Sequence, residues 1–596
     1  MRKALPLLLL ALAAGLPALS LLGHPGAFLA GPHSEVCVKL FLFDAFRGAR
    51  LLGGVMDGIG FPNTGMLNNP DPLGTAVFQL LQPLCGDAWA WNLLVIGQIW
   101  ATMAATWLLA RELCGDRWAA VTAALGFGLT PLLLVYPLLS GVPEILHLWP
   151  YPLALRAGLR ALSRPGWRDG LAAGAWAGVG VVTCPYDAVV FGALAFPLLL
   201  WLPVAGRQGL VPSADPGASV AGPRQLLRAL LGAALGGLAT AGWYVVWMKL
   251  LMSGPDSQIS ADLVEGTRHL PPYRLLHPSE IKRYTAFLGE YFATGAQALV
   301  VRDMVSRFYR AFSPGFSLMA LALAGVLLAR GRRRAALAWP LAAVFAMLAS
   351  TGPFLPWSAG SCLDGPTNPF WLALYHLLPG AKLLLEPLRY GFAAALALAL
   401  AASVGVALLA RRLGGWVAAV APALFLAELL LLSPVPVPLP VASLRVSDAY
   451  ARLDEVLPPG PILDLPYFDR GTQRFQRMHM LQQLVHRRPI PDEVVGFPPR
   501  YLVENQFTAT LLATEKPYGA LVVRVVDPSA VPSDRARLAR DGFVGIVVDP
   551  SGFDSPARAE RVLAQLAPLG DPVQLEDRLV YVLSRGGDVE GGGAGD

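Results

Sequence analysis

Runs of apolar residues separated by short polar loops fill the first 433 residues of the chain. About eleven of these runs approach the roughly 20 residues that a helix needs to cross a bilayer. They are residues 5–22, 88–110, 118–139, 145–162, 171–182, 188–204, 229–251, 316–329, 335–350, 390–410 and 416–432. No clear small-x-small cleavage site follows the first run, so we expect it to remain as an uncleaved membrane helix. The pattern predicts a mainly α fold, a polytopic membrane helical bundle.

The hydrophobic pattern changes after the linker SPVPVPLPVAS, which begins at Ser433. The runs GPILDLPYF, ALVVRVVDP and FVGIVVDP are typical of strands, and DPVQLEDRLVYVLSR is typical of a terminal strand or hairpin. Residues 469–485, residues 533–541 and the segment SPARAERVLAQLAPL are typical of helices. We therefore expect residues 1–433 to form a membrane domain and residues 434–585 a small α/β domain. The remaining segment, 586–596, has the composition of a disordered tail.

Arginine and lysine fall in alternate loops of the predicted bundle. The short loops at 140–144 and 183–187 have neither residue. By the positive-inside rule the amino terminus is cytoplasmic, the loops at 31–87, 253–313 and 351–389 face outward, and the α/β domain is extracytoplasmic. The cytoplasmic set comprises Arg2, Lys3, Arg111, Arg117, Arg156, Arg160, Arg164, Arg168, Arg207, Arg224, Arg228, Arg330, Arg332, Arg333, Arg334, Arg411 and Arg412.

Composition narrows the class of protein. A 596-residue chain with 55% hydrophobic residues, 15% charged residues and a mean hydropathy of +0.51 is an integral membrane protein. We expect a multi-pass protein of the cell membrane, as in a bacterial inner or plasma membrane. The net charge of +6 is spread over short loops, which argues against a nucleic-acid partner. The five cysteines lack the spacing of a zinc site, although a Cys37–Cys85 bridge could cross the opening loop.

Acidic side chains in the outward loops could bind a cation or a polar substrate. The opening loop at 31–91 carries Glu35, Asp44, Asp57, Asp71 and Asp87. Glu144 and Asp187 lie at the outer ends of segments that prolines interrupt. Such segments either line a cavity or simply kink among packed helices. A single acid of this kind is more often part of an ordinary solvated loop, and it is their occurrence together that favours a shared polar site.

The sequence lacks the GxxxxGK, GxGxxG, HExxH and GxSxG motifs, so any chemistry would come from the outward acids and cations. A carboxylate can act as general base to a hydroxyl, or two carboxylates can hold a divalent cation. Glu35 follows the first membrane helix and Asp71 begins the return to the second, so both could reach one site. Lys382 and Arg389 remain outside against the topological bias, either to hold a phosphate or to snorkel to lipid headgroups.

The chain has an acid after the first helix, followed by the segments NPDPLGTAVFQLLQPL, WNLLVIGQIWATMAATWLLARELCGDRWAAVTAALGFGLTP and SGVPEILHLWPYPLAL. This order of segments resembles the GT-C superfamily of polytopic glycosyltransferases. The segment LLLEPLRYGFAAALALAL, with an Arg at the start of a membrane helix, is similar to one that recurs in those proteins. The carboxyl-terminal strands ILDLPYF and GFVGIVVDP resemble those of their outer-face domain.

The resemblance implies transfer of a sugar from a polyprenyl-phosphate donor to a glycan, lipid or protein acceptor on the outer side of the membrane. It implies that Glu35 and then Asp71 act as base or as ligands of a divalent cation, Mg or Mn. Glu144 would be a further polar anchor, and Lys382 and Arg389 would face the lipid phosphate. We expect His147, Tyr186 and Asp187 to bind substrate beside them. One departure is that Glu35 stands where the family usually has Asp, without an adjacent acid pair.

Two other functions are compatible with the same pattern. A transporter or flippase for a lipid-linked glycan could use Asp187, Glu144 and the interrupted helices as a midplane site. A non-catalytic assembly factor could use the outer domain to bind a partner. The large outward loops and the appended domain favour the enzyme.

Overall fold

Helices make up most of the computed structural model, which describes residues 4–31, 34–56, 58–59, 61, 65–163, 166–205, 210, 223–253, 285–293, 300–301, 309–329, 333–358, 365–378, 380–381, 384, 386–467, 474–491, 502, 504–515, 531–553 and 555–583. The helices of the first 433 residues are α1 (Leu5–Gly15), α2 (Val36–Ala45), α3 (Pro72–Cys114), α4 (Ala119–Gly128), α5 (Pro150–Ser163), α6 (Trp167–Thr183), α7 (Pro185–Ala205), α8 (Pro223–Gly237), α9 (Trp243–Ser253), α10 (Phe316–Leu328), α11 (Arg333–Ser350), α12 (Pro369–Leu377), α13 (Tyr390–Leu413) and α14 (Val417–Leu431).

Six described helical segments are long and apolar enough to cross a membrane, judged by length and composition. They are Leu5–Leu22, Pro72–Cys114, Ala119–Leu139, Pro185–Ala205, Arg224–Leu250 and Pro387–Leu413. Helices α10 and α14 are apolar but shorter. The mainly helical membrane fold is as expected, while the larger number of crossings stays a prediction.

The opening loop is more ordered than its polar residues suggest. It contains α2, a hairpin of β2 (Gly53–Met56) and β3 (Gly65–Asn68), and the first turns of α3. Helix α3 begins at Pro72, directly after the capping residue Asp71, and runs on to Cys114 with a left-handed break at Gly86, where φ is 76°. Proline at the first helical position and an aspartate before it are strong start signals, so the helix begins well before the predicted span at 88–110.

Helix α2 joins two hydrophobic cores. Val36, Leu40 and Phe43 belong to the core of the membrane helices. Val38 and Phe41 belong to a second core that includes the carboxyl-terminal sheet. Residues three and four apart share a face of a helix, so α2 buries one stripe in each core. The helix is therefore held from both sides.

The described carboxyl-terminal residues form a four-stranded sheet. Strand β7 (Ile462–Leu465) pairs in parallel with β8 (Gly545–Val548), and β10 (Arg578–Val582) pairs antiparallel with β8 and β9 (Val573–Leu575). The strand order is therefore β7–β8–β10–β9. The helices around it are α15 (Arg474–His486), α16 (Gln506–Glu515), α17 (Val531–Arg540) and α18 (Pro556–Leu566). The strand expected in ALVVRVVDP lies outside the described residues, and the division at residue 433 stays a prediction.

A short pairing joins the two parts of the chain, because strand β1 (Phe28–Leu29) pairs with β6 (Val441–Ala442). Within the first part, β4 (Val300–Val301) pairs with β5 (Tyr309–Arg310). The predicted Cys37–Cys85 bridge is wrong, because neither cysteine forms a disulfide. The Cys37 sulfur lies 3.3 Å from the Met478 sulfur on α15, and the Cys85 thiol donates to the Leu81 carbonyl one turn earlier in α3.

Candidate functional site

The start of α3 fixes the carboxylate of Asp71. The Asn69 side-chain oxygen accepts from the Asp71 backbone N–H at 3.0 Å, and the Gly74 N–H donates to Asp71 Oδ1 at 2.7 Å. A Cβ on Gly74 would lie 1.9 Å from Asp71 Oδ2, so only glycine leaves room for this arrangement. The segment NPDPLGT thus combines a helix cap with a defined acid position.

Asp71 is paired with a buried histidine. His147 Nε2 lies 2.9 Å from Asp71 Oδ1 and 3.1 Å from Oδ2, and the exposed fractions of the two residues are 0% and 2%. His147 directly follows the single helical turn Pro143–Leu146, which carries Glu144. An ionised carboxylate only accepts hydrogen bonds, so the Nε2 of His147 that faces Asp71 carries a proton. The pair joins the opening loop to the next outward connection.

A second buried pair lies beside the first. Lys39 of α2 donates from Nζ to Glu144 Oε1 at 2.5 Å, and both side chains are largely buried. Burial opposes the charged form of Lys39, but the carboxylates of Glu144, Glu35 and Asp71 outweigh it and raise the pKa of Lys39 above its usual value. The ammonium is therefore held in its charged form among three acids from separate segments.

Arg389, at the start of α13, lies in an acidic and aromatic setting. Its Nε donates to Glu386 Oε2 at 2.7 Å, and the Tyr136 hydroxyl donates to the same oxygen. The guanidinium carbon lies 5.2 Å from the centre of the Tyr186 ring and 5.9 Å from that of Tyr136. Cation–π contacts and a carboxylate fix such a side chain in one orientation.

Asp187 connects these groups. It lies in the first turn of α7 and is fully buried. It interacts electrostatically with Arg389, Glu144 and His147. Tyr186, the residue before it, is 46% exposed and lies over the Arg389 guanidinium, which places it at the edge of the group.

The sequence-predicted residues do not all lie in this group. Glu35 is half-buried at the amino end of α2 and interacts with Lys39. Asp44 instead pairs with Arg487 at 2.8 Å, and Asp87 accepts from Gln82 at the surface. Lys382 and Asp57 lie outside the described residues.

Three residues of the site were not predicted. Lys39, Tyr136 and Glu386 each contact a predicted residue directly. Lys39 could have been found, because it is a lone cation in the apolar segment VCVKLFLF of an outward loop, where positive charge is disfavoured. Nothing in the sequence distinguishes Tyr136 from other membrane tyrosines.

The divalent cation, Mg or Mn, stays a prediction. Within the described part of the chain, no three His, Cys, Asp or Glu side chains converge in a metal-binding arrangement. Asp71 accepts from His147 and Gly74, and Glu144 accepts from Lys39. The Lys39 ammonium supplies the positive charge that a metal ion would otherwise supply among Glu35, Asp71 and Glu144.

Comparisons with known proteins point to glycosyltransferases. Residues 68–213 match the family model "Dolichyl-phosphate-mannose-protein mannosyltransferase", and this range includes Asp71, Glu144, His147 and Asp187. A mutant form of the arabinofuranosyltransferase AftD from Mycobacteria shares 15% identity at a TM-score of 0.50, over 98% of this chain and 42% of that chain. This chain therefore spans about two fifths of the length of AftD. No curated protein sequence matches.

The oligosaccharyltransferase of Archaeoglobus fulgidus is a more distant neighbour. Its apo form shares 13% identity at a TM-score of 0.43, over 93% of this chain and 72% of that chain. Its complex with Zn and sulfate gives 13% identity and a TM-score of 0.44, over 91% and 68%. The family match over residues 68–213 confirms the expected resemblance to the GT-C superfamily, and the likeness to AftD concerns the fold.

Proposed function

We propose that this chain transfers a sugar from a polyprenyl-phosphate donor to an acceptor hydroxyl on the outer side of the membrane. The observation that carries the proposal is the buried Asp71–His147 pair beside Lys39–Glu144, inside the segment that matches the mannosyltransferase family model. Buried ionisable groups are costly, and in membrane proteins they mark sites of function. A purely structural bundle would not need four of them in one place.

The position of the site supports the outer side. Asp71 lies at one end of α3, and at the other end Glu112 pairs with Arg156 at 3.2 Å and Arg160 at 2.7 Å. Helix α3 is about 60 Å long at a rise of about 1.5 Å per residue, so the two ends can lie on opposite sides of a bilayer. The arginine-rich end is cytoplasmic by the positive-inside rule, which leaves Asp71 outside.

Asp71 is suited to act as the general base. Among the described residues, the hydrogen-bond partner of Asp71 Oδ2 is His147, and that of Oδ1 includes the Gly74 N–H. The Oδ2 atom therefore keeps a lone pair that can accept from an acceptor hydroxyl. In the reaction, the hydroxyl proton passes to Asp71 while the hydroxyl oxygen forms a bond to the anomeric carbon. The bond from that carbon to the donor phosphate oxygen breaks, and its electron pair leaves with the polyprenyl phosphate. Glu35 and Glu144 hold the Lys39 ammonium close to Asp71.

Arg389 is suited to bind the leaving phosphate. Glu386 holds its Nε, and the buried Nη1 has no hydrogen-bond partner among the described residues and can donate to an anion. A fixed guanidinium stabilises the charge that gathers on the leaving oxygen. The partly exposed Tyr186 ring beside it would contact the donor at the edge of the site.

The test is transfer of a labelled sugar from a polyprenyl-phosphate donor by the purified full-length protein. We expect Asp71→Asn to lower kcat by about 10²- to 10⁴-fold, because the amide cannot accept the proton. Asp87→Asn, an exposed acid that contacts Gln82, serves as the matched control and should retain wild-type activity. Full activity of Asp71→Asn would rule out its role, and movement of an intact lipid-linked glycan across vesicles without transfer would favour a flippase.

A further inference from the structure

Tyr136 is fully buried and lies in a widened stretch of helix. It belongs to the π-helical segment Leu134–Leu139, at the end of the candidate membrane span Ala119–Leu139. The segment contains Pro137, which has no backbone N–H and cannot continue the α-helical hydrogen bonds, so the backbone widens there. The Val142 N–H then donates to the Pro137 carbonyl, five residues back, at 2.8 Å. Single π-helical turns of this kind are frequent at functional sites.

The Tyr136 hydroxyl contacts a carboxylate that lies 250 residues later in the chain. It donates to Glu386 Oε2, and Arg389 Nε donates to the same oxygen at 2.7 Å. The centre of the Phe392 ring, on α13, lies 6.1 Å from that of the Tyr136 ring. The packed tyrosine therefore fixes the position of the oxygen that holds the guanidinium.

This arrangement determines which nitrogens of the guanidinium are available to a ligand. A carboxylate beside an arginine prefers to accept two parallel hydrogen bonds from it. In the structure Glu386 Oε2 accepts from Arg389 Nε, whereas the buried Nη1 has no hydrogen-bond partner among the described residues. Without the Tyr136 hydroxyl, the carboxylate can rotate toward Nη1 and compete there with an anion.

We propose that Tyr136 is a positioning residue, which acts through Glu386 to keep Arg389 Nη1 available for the leaving phosphate. The proposal rests on the phosphate-binding role of Arg389 in the proposed function and adds the residue that prepares it. The Tyr136 hydroxyl is engaged by Glu386, so its effect on the donor is indirect. A guanidinium that is oriented before the phosphate arrives needs no reorganisation when charge gathers on the leaving oxygen.

The test measures equilibrium binding of polyprenyl phosphate, without a sugar, to the full-length protein in nanodiscs. No transfer can occur, so the result does not depend on catalysis. Tyr136→Phe removes the hydroxyl alone, and we expect the Kd to rise by about tenfold, as for the loss of a hydrogen bond to a charged group. Polyprenol, which lacks the phosphate, should bind equally to the wild type and the variant.

The matched control is Tyr450→Phe in the carboxyl-terminal part of the chain. It also removes a buried hydroxyl that donates to a carboxylate, in this case to Asp464 at 3.1 Å. This variant should keep the wild-type Kd for polyprenyl phosphate. An equal rise of the Kd in Tyr450→Phe and Tyr136→Phe would overturn the inference, because the loss would then reflect the fold in general.

Double variants separate positioning from a purely structural effect. Tyr136→Phe should cause no further loss of affinity when it is combined with Arg389→Gln or with Glu386→Gln, since Tyr136 acts through both residues. The same loss in these backgrounds as in the wild type, or no loss in any of them, would overturn the inference.

Glu386→Gln alone gives a second test that does not depend on the folding of Tyr136→Phe. The amide oxygen can still accept from Tyr136 and Arg389, but it carries no charge and competes weakly with a phosphate. The variant should therefore bind polyprenyl phosphate at least as tightly as the wild type, and a loss of about tenfold would contradict the inference. The expected pattern of binding without sugar transfer in a parallel assay would support the inference and overturn the proposed reaction alone.

Discussion

Replacing Gly74 by alanine should disable the site without removing any polar group. An alanine Cβ would stand 1.9 Å from Asp71 Oδ2, whereas ordinary contact needs at least about 3.4 Å. The carboxylate must therefore move by about 1.5 Å, which breaks its bonds to the Gly74 N–H and to His147 Nε2. A misplacement of about 1 Å costs about 10²-fold in rate, so we expect kcat to fall at least that far.

The same change acts on stability through the helix cap. Loss of an aspartate cap costs about 0.5–2 kcal/mol, so the thermal midpoint should fall only modestly. The assay is sugar transfer with kcat and KM measured separately, alongside thermal unfolding in detergent. Gly97→Ala in the same helix meets no atom within 4 Å and is the matched control. If Gly74→Ala retained the kcat of the Gly97→Ala variant, the assignment of Asp71 as a positioned base would be refuted.

Three further predictions follow from buried charges. Lys39→Met leaves Glu144 buried without its partner and should destabilise the protein by about 3–5 kcal/mol in thermal unfolding. The double variant Lys39→Met with Glu144→Gln should recover most of this loss of stability. An unchanged thermal midpoint in the single variant would contradict the pairing. Arg389→Lys keeps the charge but loses the planar guanidinium, which can donate two parallel hydrogen bonds to a phosphate, so KM for the donor should rise by about tenfold with the fold intact. An unchanged KM would argue against phosphate binding at this position. Burial lowers the pKa of His486 from 6.5 to about 3, so its contribution to the free energy of unfolding should be fully present above pH 6.5 and be lost as the pH falls toward 3. His486→Asn keeps an acceptor for the Arg488 N–H and should reduce this dependence of stability on pH. The same pH dependence in both proteins would refute the prediction.

Hydrophobic periodicity located most of the helices and the sheet strands. Strands β7 and β8 lie within GPILDLPYF and FVGIVVDP, and the helix within SPARAERVLAQLAPL is present as Pro556–Leu566. The main difference lies in the opening loop, where the sequence predicts a loop around Lys39 and the structure has helix α2. The apolar residues of α2 divide between two hydrophobic cores, so the sequence does not show the single apolar stripe of an amphipathic helix.

The candidate site could be predicted in part because Glu35, Asp71, Glu144 and Asp187 are acids near the ends of predicted membrane spans. The structure gathers Glu35, Asp71 and Glu144 around Lys39, although a sequence cannot tell which acids meet. Asp44 looked equivalent to Asp71 but pairs with Arg487 from a segment more than 400 residues later. Such partners depend on tertiary packing, which periodicity and spacing do not encode.

The central claim is that a lipid-linked sugar phosphate binds where the outward acids and Arg389 meet. The most direct measurement is an experimental structure of the full-length protein in nanodiscs with a non-transferable polyprenyl-phosphate sugar bound. We predict the phosphate within about 3 Å of the Arg389 guanidinium and the sugar facing Asp71 and Asp187. A donor bound elsewhere, with these side chains unchanged and still without a ligand, would contradict the account.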